Sequence, residues 1–294
     1  MTETRRTSSA SGEKIVISDG DLEKFCDFIY RKTGIRFGSK KRYFLERRLI
    51  ERIEAMNCDS INEYFSLLHF QESGQEVQQI VNLLTINETY FFRELYQIDC
   101  LVNSILADVG RRKRRQGDRL KIWSVPCSTG EEPYSLAMSL LERWPLVDDF
   151  EIEIHASDID SSVLERAKTG IYDERSLHLL PAMYRQKYFN PRADGTWQIN
   201  ADLRNSIDFS LVNISNLNET WQYRNFDVIF CRNLLIYFDD ASRREAAATF
   251  YDVLKPGGYI CLGHSESMSR ISSIYEVRKF PEAIVYRKAL EETR

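Results

Sequence analysis

Four short stretches hold residues able to do chemistry. The first is Ser124-Val125-Pro126-Cys127-Ser128-Thr129-Gly130-Glu131-Glu132-Pro133. Its small residues let the backbone approach a ligand at the end of a β-type run. It lacks the G-x-G-x-x-G spacing of a dinucleotide loop, and two carboxylates directly after the turn disfavour a pyrophosphate. Glu131 and Glu132 suit a ligand with a cationic part; equally, they suit a helix N-terminus, where negative charge opposes the dipole. The second is Asp158, 28 residues after Gly130 at the end of the next β-type run. An acidic residue there can accept hydrogen bonds from ribose hydroxyls. NAD, FAD and S-adenosylmethionine all satisfy that requirement. Asp160 or Ser161 can cap the following helix, which leaves Asp158 for a ligand.

The third stretch, Phe226 to Asn233, is an apolar run ending in Arg232-Asn233. Such an end is costly in a dry core and predicts that it lines a site. Tyr237 follows closely, and a buried phenol needs a hydrogen-bond partner. The fourth, Thr85 to Glu94, interleaves aromatic and polar residues, unlike a flexible linker. It predicts a packed segment closing over something.

The elements that must position these residues fall into two textures. Leu22, Phe25, Cys26 and Ile29 recur at helical spacing after Ser18 and Asp19, candidate N-caps, and Gly34 can end that helix. A second helix is predicted over about Lys40 to Met56. Ser60 with Glu63 reads as a capping box for a third, and Val77, Ile80, Val81 and Leu84 mark a fourth. Residues 15–86 therefore read as an all-helical domain, after a flexible tail over 1–14.

From Leu120 onward, strand and helix alternate. Strands are predicted at Lys121–Val125, Glu151–Ala156, Ile207–Val212, Phe226–Cys231 and Tyr259–Leu262, with a final edge strand at Ala283–Tyr286. Helices are predicted at Tyr134–Trp144, Ser162–Lys168 and Ala241–Leu254. This is the texture of an α/β, doubly wound parallel sheet over 87–290. The alternation lapses after Gly170. Asp194-Gly195 between two apolar runs signals a hairpin, so a small antiparallel β-subdomain is expected at about 186–212.

The chain has 294 residues and a net charge of −4. No apolar run is long enough for a membrane helix, and the polar N-terminus does not read as a secretory signal. The six cysteines form no C-x-x-C pair, which argues for reduced thiols in a cytoplasmic protein and against a zinc site. Between Arg31 and Arg52 stand nine basic and two acidic residues, so the rest of the chain carries about −11. Lys41, Arg48 and Arg52 fall within about 40° on a helical wheel. They form either a solvated basic face or a docking surface for an acidic partner. The Arg111–Arg115 run reads as a solvated loop or helix end.

These stretches together resemble the CheR-type chemoreceptor methyltransferases. The matching pieces are Asn87-x-Thr89-x-Phe91-Phe92-Arg93-Glu94, Ser128-Thr129-Gly130-Glu131-Glu132-Pro133-Tyr134-Ser135, Ala156-Ser157-Asp158-Ile159-Asp160, Ile229-Phe230-Cys231-Arg232-Asn233 with Ile236-Tyr237-Phe238, Leu254-Lys255-Pro256-Gly257-Gly258 and Gly263-His264-Ser265-Glu266. The resemblance implies a Rossmann-like, S-adenosylmethionine-dependent methyltransferase that esterifies receptor glutamates. It implies cofactor contacts from Asn87, Thr89, Arg93, Glu132, Asp158, Asn213, Ile214, Arg232 and Asn233. Arg93 and Tyr237 would then lie near the transferred methyl, while Lys41, Arg48 and Arg52 would dock a helical receptor bundle. His264 reads as a structural loop histidine. The expected partners are methyl-accepting chemoreceptors. No metal, nucleic acid or membrane insertion is expected, and the protein is expected to be a monomer. Rival readings are a nucleic-acid methyltransferase, a small-molecule carboxyl methyltransferase, and a cofactor-binding regulator without turnover.

Overall fold

The computed structural model describes residues 15–38, 41–113 and 118–290. The expected tail, Lys40, and Arg114 and Arg115 of the basic run lie outside them. The chain divides into two units, Met1–Asp27 with Gly38–Leu84, and Phe28–Phe37 with Thr85–Arg294.

The first unit is helical. It holds the start of α1 (Asp19–Thr33), then α2 (Arg42–Ala55), α3 (Ile61–Phe70) and α4 (Gln75–Leu84). Phe25, Leu45, Leu49, Ile53, Tyr64 and Ile80 are fully buried there. Ser18 accepts the Asp21 N–H at 3.2 Å and so caps α1. Ser60 accepts the Glu63 N–H at 3.3 Å, but Glu63 reaches the Asp59 N–H, at 2.8 Å, instead of that of Ser60. The capping box is thus shifted by one residue. Helical periodicity also gives no sign of Glu76, which is buried in α4.

The second unit is built on a seven-stranded sheet in the order β6-β2-β1-β7-β8-β10-β9. The strands are β1 (Asp118–Ser124), β2 (Phe150–Asp158), β6 (Ile207–Leu211), β7 (Phe226–Cys231), β8 (Leu254–Leu262), β9 (Tyr275–Lys279) and β10 (Ile284–Lys288). β6, β2, β1, β7 and β8 run parallel, while β10 is antiparallel to both β8 and β9. All of β7 is buried, as a central parallel strand covered on both faces must be. The expected edge strand at Ala283–Tyr286 is instead β10, an inner strand. The edge is β9, whose mostly exposed Tyr-Glu-Val-Arg-Lys has too little apolar alternation to be read as a strand.

Helices α5 (Leu95–Cys100) and α6 (Leu106–Arg112) are joined by a π-helical turn, Leu101–Ile105. Then come α7 (Glu131–Arg143), which starts three residues earlier than its periodicity suggests, and α8 (Ser161–Thr169). Between β2 and β6 lies a second sheet of three antiparallel strands, in the order β3-β5-β4: β3 (Ile171–Tyr172), β4 (Phe189–Pro191) and β5 (Trp197–Ile199). The Asp194-Gly195 hairpin joins β4 to β5, with Gly195 at φ 80°. The subdomain differs from the expected 186–212. It recruits Ile171–Tyr172 from upstream, and Ile207–Leu211 leaves it to pair with β2. Short helices α9 (Glu174–Leu177), α10 (Ala182–Tyr188) and α11 (Ala201–Asn205) fill the connections. α12 (Leu217–Thr220) and α13 (Asp240–Val253) flank β7 in the chain.

The end of α1 belongs to this second unit for a visible reason. The Arg36 N–H donates to the Tyr237 carbonyl at 3.0 Å, and the Arg36 guanidinium pairs with Asp239 at 3.1 Å. The Lys32 and Thr33 carbonyls accept from Asn213 and Ser215. Strand order reverses between β1 and β7, so the fold leaves a crevice at the C-terminal ends of β1, β2 and β7.

Candidate active site

A cavity of about 200 Å³ occupies that crevice. From the strand ends it is lined by Ser128, Glu132, Asp158, Arg232 and Asn233. The segment before α5 contributes Asn87, Thr89, Tyr90 and Arg93, and Ile236 and Tyr237 complete the wall. Eight residues implied by the motif match thus meet in one place. Asn213 and Ile214 do not. They line a smaller neighbouring cavity of about 30 Å³, which shares Pro126 and Asp158 with the first. The Asn213 amide donates to the Lys32 carbonyl at 2.5 Å, and its oxygen accepts the Ser215 N–H at 3.0 Å. Asn213 thus ties a loop to the end of α1.

The turn after β1 holds Asp158 in place. The N–H of Ser128, a residue at φ 48°, donates to Asp158 Oδ2 at 2.8 Å, and the Asp160 N–H donates to Oδ1 at 3.0 Å. Burial nevertheless raises the Asp158 carboxyl to about 6. Asp160 caps α8 through the Ser162 and Val163 N–H groups, so Asp158 is free of that duty. Asp160 also accepts from Thr85 and Asn87, at 2.7 Å each, and so anchors the Asn87 segment. Gly130 closes the turn at φ 95°, and a Cβ there would meet Tyr134, Ala167 and Tyr172 at 3.0–3.1 Å.

The structure separates the two glutamates. Glu131 turns away from the cavity, where Thr129 and Ser176 donate to it, and burial raises its carboxyl. Glu132 points inward, accepting from Ser124 at 2.6 Å and pairing with Arg232 at 2.8 Å. Arg232 also donates to the Arg93 carbonyl at 2.6 Å and pairs with Glu94 at 3.3 Å. Burial pushes the Glu94 carboxyl up, but the Arg232 charge and the His264 hydrogen bond outweigh it and hold it low. His264 Nδ1 lies 2.9 Å from Glu94. His264 therefore buttresses an ion pair.

Two polar atoms in this wall lack partners. Arg232 Nε and Ser128 Oγ are buried without a hydrogen bond. Five other buried side-chain atoms among the described residues also lack a partner; these two differ in belonging to residues that line the cavity, where a ligand can bond them. Phe92, Glu94, Ser128 and Asn233 all adopt left-handed backbone, a strained choice for residues other than glycine. Near the mouth, Arg93 reaches the Glu88 carbonyl and lies 5.7 Å from the Tyr90 ring centre. The Tyr237 phenol is half-buried, and burial raises it while the Arg93 charge opposes that rise.

One functional candidate carries no role in the sequence reading. Glu266 Oε2 accepts the N–H groups of Asn233 and Gly263, and Oε1 that of Leu235, at 2.7–2.9 Å. One carboxylate therefore pins the turn that carries Asn233 and Tyr237 to the end of β8. Its signal is the Gly263-His264-Ser265-Glu266 motif: a Cβ on Gly263 would meet Glu266 Oε2 at 2.9 Å.

The basic face of α2 is not uniform. Arg52 is bound to the buried Glu76, with contacts at 2.9 and 2.6 Å, so its guanidinium is committed to the core of its own unit. Arg48 pairs with Glu51 at 3.0 Å. Lys41 directly precedes the helix.

The cavity suits a ligand combining an apolar ring, hydroxyls and charge of both signs. Asp158 and Glu132 can accept, Arg232 and Ser128 have donors to give, and Ile86, Ile98 and Pro126 supply apolar surface. S-adenosylmethionine has those parts. No group of three or more His, Cys, Asp or Glu able to hold a metal ion occurs among the described residues. No helix among them is long and apolar enough to cross a membrane.

A parallel sheet with one late antiparallel strand inserted beside its edge, and a cofactor crevice at its strand ends, defines the Rossmann-like S-adenosylmethionine-dependent methyltransferases. Comparison with known proteins narrows this. Residues 87–284 match the family described as "CheR methyltransferase, SAM binding domain", and residues 20–85 match "CheR methyltransferase, all-alpha domain". The chain belongs to the CheR methyltransferase family and is an enzyme of that kind. It is 51% identical to chemotaxis protein methyltransferase 2 of Vibrio cholerae, over 94% of this chain and 95% of that protein. It is 35% identical to the chemotaxis protein methyltransferase of Salmonella typhimurium, over 90% of each chain. The Escherichia coli chemotaxis protein methyltransferase is also 35% identical, over 90% of this chain and 91% of that one.

Proposed function

We propose that the protein transfers a methyl group from S-adenosylmethionine to glutamate side chains of methyl-accepting chemoreceptors, giving glutamate methyl esters and S-adenosylhomocysteine. The observation that carries this reading is the strand-end cavity. In it, buried Asp158, partly buried Glu132 and the unpaired Arg232 Nε and Ser128 Oγ surround space beside Arg93 and Tyr237. In this reading Asp158 holds the ribose hydroxyls, and Glu132 with Arg232, Ser128 and Asn233 hold the polar end of the cofactor. When bound, S-adenosylmethionine supplies a sulfonium methyl open to in-line attack by oxygen.

The acceptor glutamate has an ordinary pKa of about 4.3 and is already a nucleophile at neutral pH. No general base is required. As the O–CH₃ bond forms, the S–CH₃ bond breaks and both charges are lost, so alignment and exclusion of water are the tasks left to the protein. Arg93 orients the acceptor carboxylate, and Tyr237, kept protonated by burial, donates to one of its oxygens. Lys41, just before α2, and Arg48 on it present positive charge to a glutamate-rich receptor helix, while Arg52 supports them through Glu76. In this reading the enzyme is a cytoplasmic monomer.

The test is incubation of the purified protein with tritiated S-adenosylmethionine and membranes carrying chemoreceptors, with Asp158→Ala as control. Base-labile label on the receptor band that disappears in the control supports the assignment. Cofactor binding without label on any receptor overturns it.

A further inference from the structure

The turn that carries Tyr237 has a second side. There lies a cavity of about 130 Å³ whose wall includes Ile236, Arg243, Ser265, Glu266 and Arg270. Ile236 also lines the main cavity, so the two cavities share a wall residue. Arg243 Nε donates to the Leu235 carbonyl at 2.9 Å, and its Nη1 pairs at 3.2 Å with Asp240. The Asp240 side chain is 82% exposed, so that pair leaves most of the Arg243 charge available. Among the described residues Arg270 is exposed and has no side-chain hydrogen bond or ion pair. The one acid in the wall, Glu266, has its oxygens filled by backbone N–H groups. Those bonds occupy its acceptor sites without cancelling its charge, so the wall sets two guanidinium groups and the Ser265 hydroxyl against one carboxylate and is positive on balance.

We infer that this cavity is a subsite for a second carboxylate of the substrate, neighbouring the one that is methylated. The inference rests on the receptor-glutamate reading above. Two guanidinium groups with a hydroxyl match a carboxylate through charge-assisted hydrogen bonds. A methyl ester or an amide at the neighbouring position is neutral and forfeits that charge. The enzyme therefore senses the modification state beside its acceptor, and an unmodified neighbour favours binding.

The experiment uses the full-length protein and purified chemoreceptor cytoplasmic fragments carrying either glutamate or glutamine beside the acceptor. Arg270→Glu should raise KM about tenfold on the glutamate-flanked fragment and leave it unchanged on the glutamine-flanked one. The S-adenosylmethionine Kd should be the same as in the wild type, which also shows that the fold is intact. Arg244→Glu makes the same change in net charge at an exposed residue that lines neither cavity, and should leave both KM values unchanged. Two results overturn the subsite alone: an equal rise in KM on both fragments, or a rise with Arg244→Glu as large as with Arg270→Glu. Absence of methyl transfer by the wild type to either fragment overturns the receptor reading, and the subsite with it.

Discussion

Two largely buried arginine–glutamate pairs, one in each unit, use the same chemistry to opposite ends. In the helical unit, Arg52 grips Glu76 through two nitrogens, Tyr64 donates to the same carboxylate at 2.6 Å, and the Glu76 N–H donates to Gln71. No nitrogen of that guanidinium is left buried without a partner. In the sheet unit, Arg232 is shared between Glu132, Glu94 and the Arg93 carbonyl, yet its Nε has no partner. The first network is closed and can only hold helices together. The second is open toward a cavity and sits among left-handed residues. A buried ion pair is weak evidence for stability in itself. An unmet hydrogen bond alone does not mark a site either: Arg48 Nε, in the helical unit, is also buried without a partner. What separates scaffold from site is an unmet group in the wall of a cavity, as Arg232 is.

The sharpest break comes from Arg232→Met. It strands Glu132 and Glu94, should cost about 3–5 kcal/mol in urea denaturation, and should abolish S-adenosylmethionine binding. Glu76→Gln should cost about 3 kcal/mol or less by the same assay, but calorimetric cofactor affinity should be unchanged. If Glu76→Gln also weakened cofactor binding, the division between closed and open networks would fail.

Asp158→Asn should weaken cofactor binding about a hundredfold through loss of two charge-assisted hydrogen bonds, read by calorimetry. Its effect on stability runs the other way. Burial raises the Asp158 carboxyl to about 6, so the folded state keeps this proton to higher pH than the unfolded chain does. Its contribution to stability should fall as pH rises from about 4 to about 6 and stay level above. Cofactor affinity should rise over the upper part of that window as the carboxylate ionises. The amide introduced by Asp158→Asn does not titrate, so both slopes should vanish in that variant.

A smaller effect probes the loop. Glu266→Gln should lower kcat about tenfold, and its effect should be non-additive with that of Tyr237→Phe, because Glu266 acts through the turn carrying Tyr237. Additive effects in the double mutant would place Glu266 outside that coupling. The smallest expected change is on α2, where Arg48→Glu should raise receptor KM about threefold with kcat retained.

Much of the site is legible in the chain because strand ends carry their ligands locally. Ser128, Glu132, Asp158, Arg232 and Asn233 each follow closely on an apolar run, and a doubly wound sheet gathers such ends. The Asp160 cap and the Asp194-Gly195 hairpin are legible for the same reason. β9 and β3 are not, being short or mostly polar, and Glu76 stays hidden because apolar periodicity cannot register a buried acid.

The alternation of elements, the turns and the chemical types waiting at the strand ends follow from the chain alone, since they depend on neighbours a few residues apart. Which charges meet is settled by the fold. Glu132 lies 100 residues from Arg232, and Arg93 lies 139 from it. Glu266 reaches back 33 residues to Asn233, and Asn213 reaches 181 residues to Lys32. Partners so distant leave no periodic trace in the chain. They are selected when the sheet closes and each buried donor must find an acceptor, or be left, like Arg232 Nε, for a ligand.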